Sequence, residues 1–497
     1  MTSLKKLAGQ TAVYGLSTIL GRFLNYLLTP LHTSIFPAHE FGIITELYAY
    51  IAVLNVLYTF GMETSFFRFA TKQESNSLQA FNNAFTSILL LSVSFSTLIY
   101  LFAPQIAVAL EYPGKEKMIK WIAIILASDA IVAIPFARIR LVNKVYLFAG
   151  AKISSILLNI LLNLFFLLLC PLIAKEGWIP ALKPFVDSFY NPEHLVDYVF
   201  AANLLANLAY LPFILFAFRG LNFKIQLPYL KEMMVYGFPI LLMGLAGTVN
   251  EMFSRIMLKD LLPPGFYPGK SNEAALGIFG ACYKLSVFMA LAIQAFRFAS
   301  EPFFFSNAKD KNAPELFARV MKYFVLCCVF IFTLVSVNID WLSEIFIRRE
   351  EYKEGLNIVP VLLMANLFMG VYFNLSIWYK LTDKTYWGTY ITVLGALITI
   401  AANYILIPAL GYYGSAFATF ICYFSMVLMS YFLGQKFYYI PYPVIKILVF
   451  LLAGVIVYYL AIIINLDGFY DFLFDNMLVL VYLLLMFAFD KLMKKEL

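Results

Sequence analysis

The feature that most constrains this chain is a run of fourteen apolar blocks, most about 20 residues long, separated by short polar breaks. They lie near 7–31, 41–66, 81–103, 118–137, 145–169, 196–218, 231–258, 275–300, 316–338, 356–379, 386–408, 412–434, 442–464 and 476–490. A stretch of that length and character matches the hydrocarbon thickness of a bilayer when helical. Of the 497 residues, 62% are hydrophobic and only 13% are charged, against about 25% charged in ordinary soluble domains. A soluble core does not bury that much apolar surface, and a membrane barrel would show alternating segments of about ten residues. The expectation is an all-α integral membrane protein with about 14 transmembrane helices.

The net charge of +7 does not point to nucleic acid, because Lys and Arg are scattered in ones to threes between apolar blocks. They read as topology signals. With the N-terminus inside, the inner segments carry twenty basic residues and the outer segments ten, which favours both termini in the cytoplasm. Lys5 and Lys6 precede an apolar stretch interrupted by Gln10, Tyr14, Arg22 and Asn25, so the expectation is a retained first helix and no cleaved signal. The five cysteines, Cys170, Cys282, Cys327, Cys328 and Cys422, include no C-x-x-C and read as free packing thiols.

The first six blocks echo the next six. Val13-Tyr14-Gly15-Leu16 matches Val235-Tyr236-Gly237-Phe238, and Phe41-Gly42-Ile43 with Tyr48 matches Leu276-Gly277-Ile278 with Tyr283. Glu111-Tyr112 matches Glu351-Tyr352; at the same offset of 240, Leu141-Val142-Asn143-Lys144 matches Leu381-Thr382-Asp383-Lys384, and Asn163 matches Asn403. Repeats of six spans each enter the membrane from the same side and are related by an axis along its normal. The expected division is two pseudo-symmetric six-helix lobes, 1–220 and 221–436, followed by two additional helices in 437–497.

This pattern, with the opening Leu4-Lys5-Lys6-Leu7-Ala8-Gly9-Gln10-Thr11-Ala12-Val13-Tyr14-Gly15, then Pro135-Phe136-Ala137-Arg138-Ile139-Arg140 and Trp378-Tyr379-Lys380-Leu381-Thr382-Asp383-Lys384-Thr385, resembles the multidrug/oligosaccharidyl-lipid/polysaccharide exporter superfamily, in its bacterial polysaccharide flippase branch. The resemblance covers essentially the whole chain. It implies two lobes in a V around a central cavity, alternating access, and a polyprenyl-pyrophosphate-linked oligosaccharide carried to the outer leaflet for cell-surface polysaccharide biosynthesis. Glycan polymerase or ligase machinery would be a neighbour. No cofactor is implied beyond a proton or sodium gradient. Two readings of the same fold stand beside it, a lipid II flippase and an ion-coupled multidrug exporter, and the reading outside the fold is a membrane glycan polymerase or ligase. The longest outer connection, of about 26 residues, speaks against the last.

An ionised side chain at mid-bilayer costs about 2.5–3.5 kcal/mol, so each needs a partner or a wet cavity. In the first helix, Gln10, Tyr14, Thr18, Arg22, Asn25 and Thr29 recur at helical spacing, and Tyr236, Gly244, Gly247, Asn250, Glu251, Ser254 and Arg255 repeat the arrangement in the seventh. By the resemblance, these two helices face each other across the cavity. Lys284 and Arg297 add cations in the eighth span. A pyrophosphate suits several cations, arginine through paired donors and lysine as a point charge. The expected substrate-binding set is therefore Arg22, Asn25, Asn250, Glu251, Arg255, Lys284 and Arg297. Asp129, midway through its span, is the deepest carboxylate and the first candidate for ion coupling; Glu46 and Glu63 are weaker ones. The alternative reading pairs Asp129 with Lys152 or Arg138 as a structural contact.

Enzyme signals are poor. Gly265-Phe266-Tyr267-Pro268-Gly269-Lys270-Ser271 has three residues between its glycines where a phosphate loop needs four. His32, His39 and His194 show no metal-ligand spacing, and no catalytic residue or metal is expected. The topology predicts that, in a background without native cysteines, a membrane-impermeant thiol reagent added to intact cells modifies cysteine at position 181 and spares positions 5 and 494; labelling at either terminus would overturn it.

Overall fold

The computed structural model describes residues 15, 19–21, 23–72, 77–176, 178–308, 310–464, 466 and 468–492. Among them the regular structure is helical throughout, with no strand. Thirteen helices are long and apolar enough to cross a membrane, from Ala38–Thr71 to Phe469–Leu492, and they follow the expected spans in order from the second onward. The expected first span, 7–31, lies largely outside the described residues, and Arg22 with it.

The chain divides into two compact units, residues 1–28 with 46–248, and residues 29–45 with 249–497. In the first, the helices Glu116–Leu141 and Val145–Leu164 and the 208–218 segment pack apolar side chains including Phe136, Ile139, Phe148, Ala151 and Ile214 against one another. The Leu195–Asn207 helix continues as alternating 3-10 and α turns to Phe218 around Pro212, a residue that offers no N–H to the ladder. In the second unit, Val359–Leu375, Tyr386–Leu410 and Tyr412–Phe437 pack round Ala365, Ile391, Cys422 and Met426.

One expected span differs in form. The 275–300 block is two helices, Asn272–Leu285 and Val287–Asn307, broken at Ser286. The break leaves polar backbone inside an apolar region, where every N–H and C=O needs a protein partner. Asn366 supplies it: its amide donates to the Ser286 hydroxyl at 3.1 Å and to the Ser286 carbonyl at 3.4 Å, while the hydroxyl donates to Tyr283 O at 2.7 Å.

The sequence repeat reappears as local backbone geometry. Asn143 and Asp383 both take left-handed conformations, with φ of 55° and 56°. At each, the next lysine N–H closes the preceding helix, Lys144 N to Ile139 O at 3.0 Å and Lys384 N to Tyr379 O at 2.9 Å. This is a helix terminus in which a short polar side chain tolerates the conformation usually left to glycine. Asn163 and Asn403 are both buried and each donates to the carbonyl four residues earlier at 2.8 Å.

Within the second unit the repeat-related glycines meet. A Cβ on Gly42 would lie 1.9 Å from the carbonyl oxygen of Glu273, four residues before Gly277; one on Gly277 would lie 1.9 Å from that of Ala38, four before Gly42. Each glycine is thus the gap into which the other helix presents a carbonyl. Polar contacts flank this crossing. Tyr352 donates to Phe36 O at 2.7 Å, Thr33 to Phe346 O at 3.1 Å, and the Ala38 amide to Glu351 Oε1 at 3.1 Å.

The last two helices are fastened by buried charge. Lys322 donates to both oxygens of Asp490 at 2.6 and 2.7 Å, and Lys446 stands 3.7 Å from the same carboxylate. Gly277→Ala is expected to lower stability by about 1–3 kcal/mol, the usual cost of overpacking a tight contact. It would appear as a lower apparent melting temperature of the purified protein in detergent; an unchanged value would mean that the crossing yields without cost.

Candidate functional site

In the second unit, the C-terminal part of the Leu227–Leu261 helix presents two faces four residues in period. One face is buried and fully engaged. Asn250 donates to Thr392 O at 3.2 Å and accepts from Thr399 at 3.3 Å; Ser254 accepts from Asn403 at 3.0 Å and lies 3.3 Å from the Thr419 hydroxyl. Asn250 is 2% exposed, so its amide is spent on holding helices together. The adjacent face carries Glu251, exposed, and Arg255, half-buried.

Arg255 lies with its guanidinium 4.1 Å from the centroid of the Tyr283 ring and donates to Met252 Sδ. A cation over an aromatic face is held by the ring quadrupole. Lys284, the next residue after that tyrosine, is exposed and within electrostatic range of Arg255. Both cations are thus set on neighbouring helices, with Glu251 close to the same Tyr423 that senses Arg255. Arg297 is not part of this group. It lies thirteen residues beyond Lys284, roughly 20 Å along a helical path. There its guanidinium sits 4.0 Å from the Phe373 ring, lining a recess of about 20 Å³ with Ser300, Ser376 and the Lys380–Glu301 ion pair.

In the first unit, Asn25 is exposed and accepts a hydrogen bond from Asn159 at 3.4 Å. Asp129 accepts from Asn207 at 2.8 Å, and the same amide reaches Ser128 Oγ at 2.8 Å. Asp129 makes no ion pair among the described residues. Lys152 acts on it through space while its ammonium rests over the rings of Phe136, at 4.7 Å, and Tyr210, at 5.1 Å. Arg138 is engaged elsewhere, donating to Ala217 O at 2.8 Å and covering Phe81. One turn before Asn207, Asn203 donates to Tyr48 at 3.2 Å, and Tyr48 in turn is within range of Asp129.

Asn203 and Asn207 were absent from the residues singled out by sequence. Their signal was present: two carboxamides four residues apart in an apolar span, on one helix face. The other two acids have defined partners. Glu46 is fully buried and accepts from Tyr112, while Glu63 pairs with Arg140. Among the described residues no group of His, Cys, Asp and Glu is arranged to hold a metal ion.

Comparison with known proteins places this architecture. The profile of the family described as polysaccharide biosynthesis protein matches residues 7–307, and that of MatE matches residues 268–405. Among curated proteins no match is found. Among solved structures, the lipid II flippase MurJ in an inward closed conformation aligns at a TM-score of 0.71 and 14% identity, covering 96% of this chain and 98% of that one. An inward-facing multidrug resistance MATE family transporter aligns at 0.61 and 12% identity, covering 83% and 93%. An outward-facing MATE structure aligns at 0.58 and 14% identity, covering 86% and 95%. The chain therefore has the fold of the multidrug/oligosaccharidyl-lipid/polysaccharide exporters, with thirteen membrane-length helices among its described residues, and it belongs to the polysaccharide biosynthesis protein family.

Proposed function

We propose that this protein is a flippase that carries a polyprenyl-pyrophosphate-linked oligosaccharide from the inner to the outer leaflet of a bacterial cytoplasmic membrane, by alternating access and with both termini cytoplasmic. The observation that carries the reading is the pair Arg255 and Lys284, two cations on neighbouring helices with one guanidinium pre-oriented by Tyr283. A pyrophosphate spreads its charge over several oxygens and is met well by one forked donor and one point charge. Arg22 is the corresponding cation of the first helix in this proposal. Glu251, beside the pair, would repel a second anion and orient the first. Cationic drugs would call for inward carboxylates, and this group is cationic in balance.

A second reading, a lipid II flippase, is favoured by one finding: the alignment with MurJ extends over nearly all of both chains. The two readings share the pyrophosphate and differ in the sugar. Reconstitution separates them, because outward movement of each labelled lipid can be followed by its exposure to an external glycosidase or lectin.

The driving force we assign to Asp129. Its hydrogen bond comes from a neutral amide, so gaining or losing a proton changes the local charge balance without breaking an ion pair. Ionised, it would favour one arrangement of the helices; protonated, the other.

Lys284→Ala and Arg255→Ala are each expected to reduce transport about tenfold or more, the loss of one charge-assisted hydrogen bond, while leaving the amount of membrane-inserted protein unchanged. Normal transport by both variants would exclude the pair from the site. Asp129→Asn is expected to bind the lipid substrate yet transport it at a rate indifferent to an imposed proton or sodium gradient. Gradient-dependent transport at the unaltered rate would leave Asp129 a structural residue.

A further inference from the structure

Among the described residues, the cluster that fastens the last two helices sets two cations on one carboxylate. Lys322 and Lys446 share one carboxylate, that of Asp490, and all three side chains are less than a tenth exposed. Lys322 takes both oxygens, and the Tyr323 hydroxyl adds a third contact at 3.3 Å. Lys446, at 3.7 Å, is left outside hydrogen-bond distance and makes no hydrogen bond among the described residues. A buried cation that shares its one carboxylate with another cation is only partly compensated, and the usual remedy is a further partner of opposite charge. The Lys446 side chain as a whole keeps 9% of its surface exposed.

Its position says what can reach it. Lys446 is the third residue of Val444–Ile463, and Asp490 the third from the end of Phe469–Leu492, so both lie at one end of their spans, at the depth of lipid head groups. From this end an open groove of about 410 Å³ runs along the Ala313–Val337 helix. Arg319 and Tyr323 stand on its wall, and Phe296, Val320, Phe324 and Cys327 give it an apolar lining. Tyr323 belongs to both features, its hydroxyl on Asp490 and its ring 4.4 Å from the Lys322 ammonium. An apolar channel that begins beside surplus positive charge at the membrane surface has the form of one molecule, a lipid with an acyl chain and an anionic phosphate.

We infer that the junction of Ala313–Val337 with the last two helices is a binding site for an anionic glycerophospholipid of the membrane. The phosphate is placed by Lys446 and Arg319, and one acyl chain lies in the groove. The lipid completes the charge balance of the Lys322–Asp490–Lys446 cluster and so fixes the two terminal helices to the second unit. It is distinct from the transported molecule and independent of the flippase reading.

Native mass spectrometry of the full-length, delipidated protein in detergent tests this, titrating dioleoyl-phosphatidylglycerol and dioleoyl-phosphatidylcholine separately. The anionic lipid is expected to occupy one saturable site about tenfold more tightly than the zwitterionic one. Lys446→Gln should abolish that preference without lowering the apparent melting temperature of the lipid-free protein, because it removes the surplus charge and leaves the Lys322–Asp490 pair intact. Should Lys446→Gln fail to fold, Arg319→Gln, at an exposed position, is expected to weaken the preference on its own. Val320→Trp, which fills the groove, should weaken both lipids. Inorganic phosphate at the same concentration should not raise the melting temperature as phosphatidylglycerol does. Equal binding of the two lipids by the unaltered protein, an unchanged preference in the folded Lys446→Gln or Arg319→Gln variants, or equal stabilisation by free phosphate would each overturn the site.

Discussion

The polar interior of this protein is governed by one constraint: inside the hydrocarbon layer a polar group finds its partner within the protein or not at all. At Ser286 a helix can break only because Asn366, from another helix, meets both the hydroxyl and the carbonyl that the break exposes. The break ends the helix that carries Tyr283 and Lys284 two residues after the lysine and begins the one that carries Arg297. Asn250, Ser254 and Asn403 apply the same logic between helices, with neutral amides and hydroxyls used where a charge would need a counter-charge.

The acids divide by the kind of partner each has found. Glu63 has a guanidinium and Glu46 a phenol, and Asp490 is held by an ammonium at both oxygens. Asp129 alone among the expected coupling residues is bonded by a carboxamide, with a lysine present only at a distance. A carboxylate in an ion pair loses much by taking a proton, whereas one bonded to an amide loses little, which is why the same residue type reads as fastening in one place and as a working group in another.

Much of the fold was legible because hydrophobic block length and bilayer thickness are the same quantity measured twice. Asn143 and Asp383 stood out in the sequence only as matching positions of the repeat, and the left-handed corner they share is visible in the backbone alone. Partners were harder to read. The seventh helix was read as carrying its polar residues in one arrangement, but Asn250 turns into the helix packing while Arg255 turns to Tyr283, as five steps of about 100° set the two about 140° apart round the helix. Arg297 was grouped with Lys284 as a cation of the same span, although thirteen residues of helix set the two about 20 Å apart. Asn207, the partner of Asp129, lies 78 residues away, a distance across which one sequence carries no pairing information.

The crossing at Gly42 and Gly277 has a history written into its reciprocity. Each glycine receives the carbonyl four residues before the other, which is the relation that two copies of one patch have across a two-fold axis. A single six-helix ancestor could have made the same contact with a second copy of itself, one glycine serving both sides. Joining the two copies into one chain would have kept the contact and freed its halves to change separately, so that a surface once obliged to match itself became two surfaces obliged only to match each other.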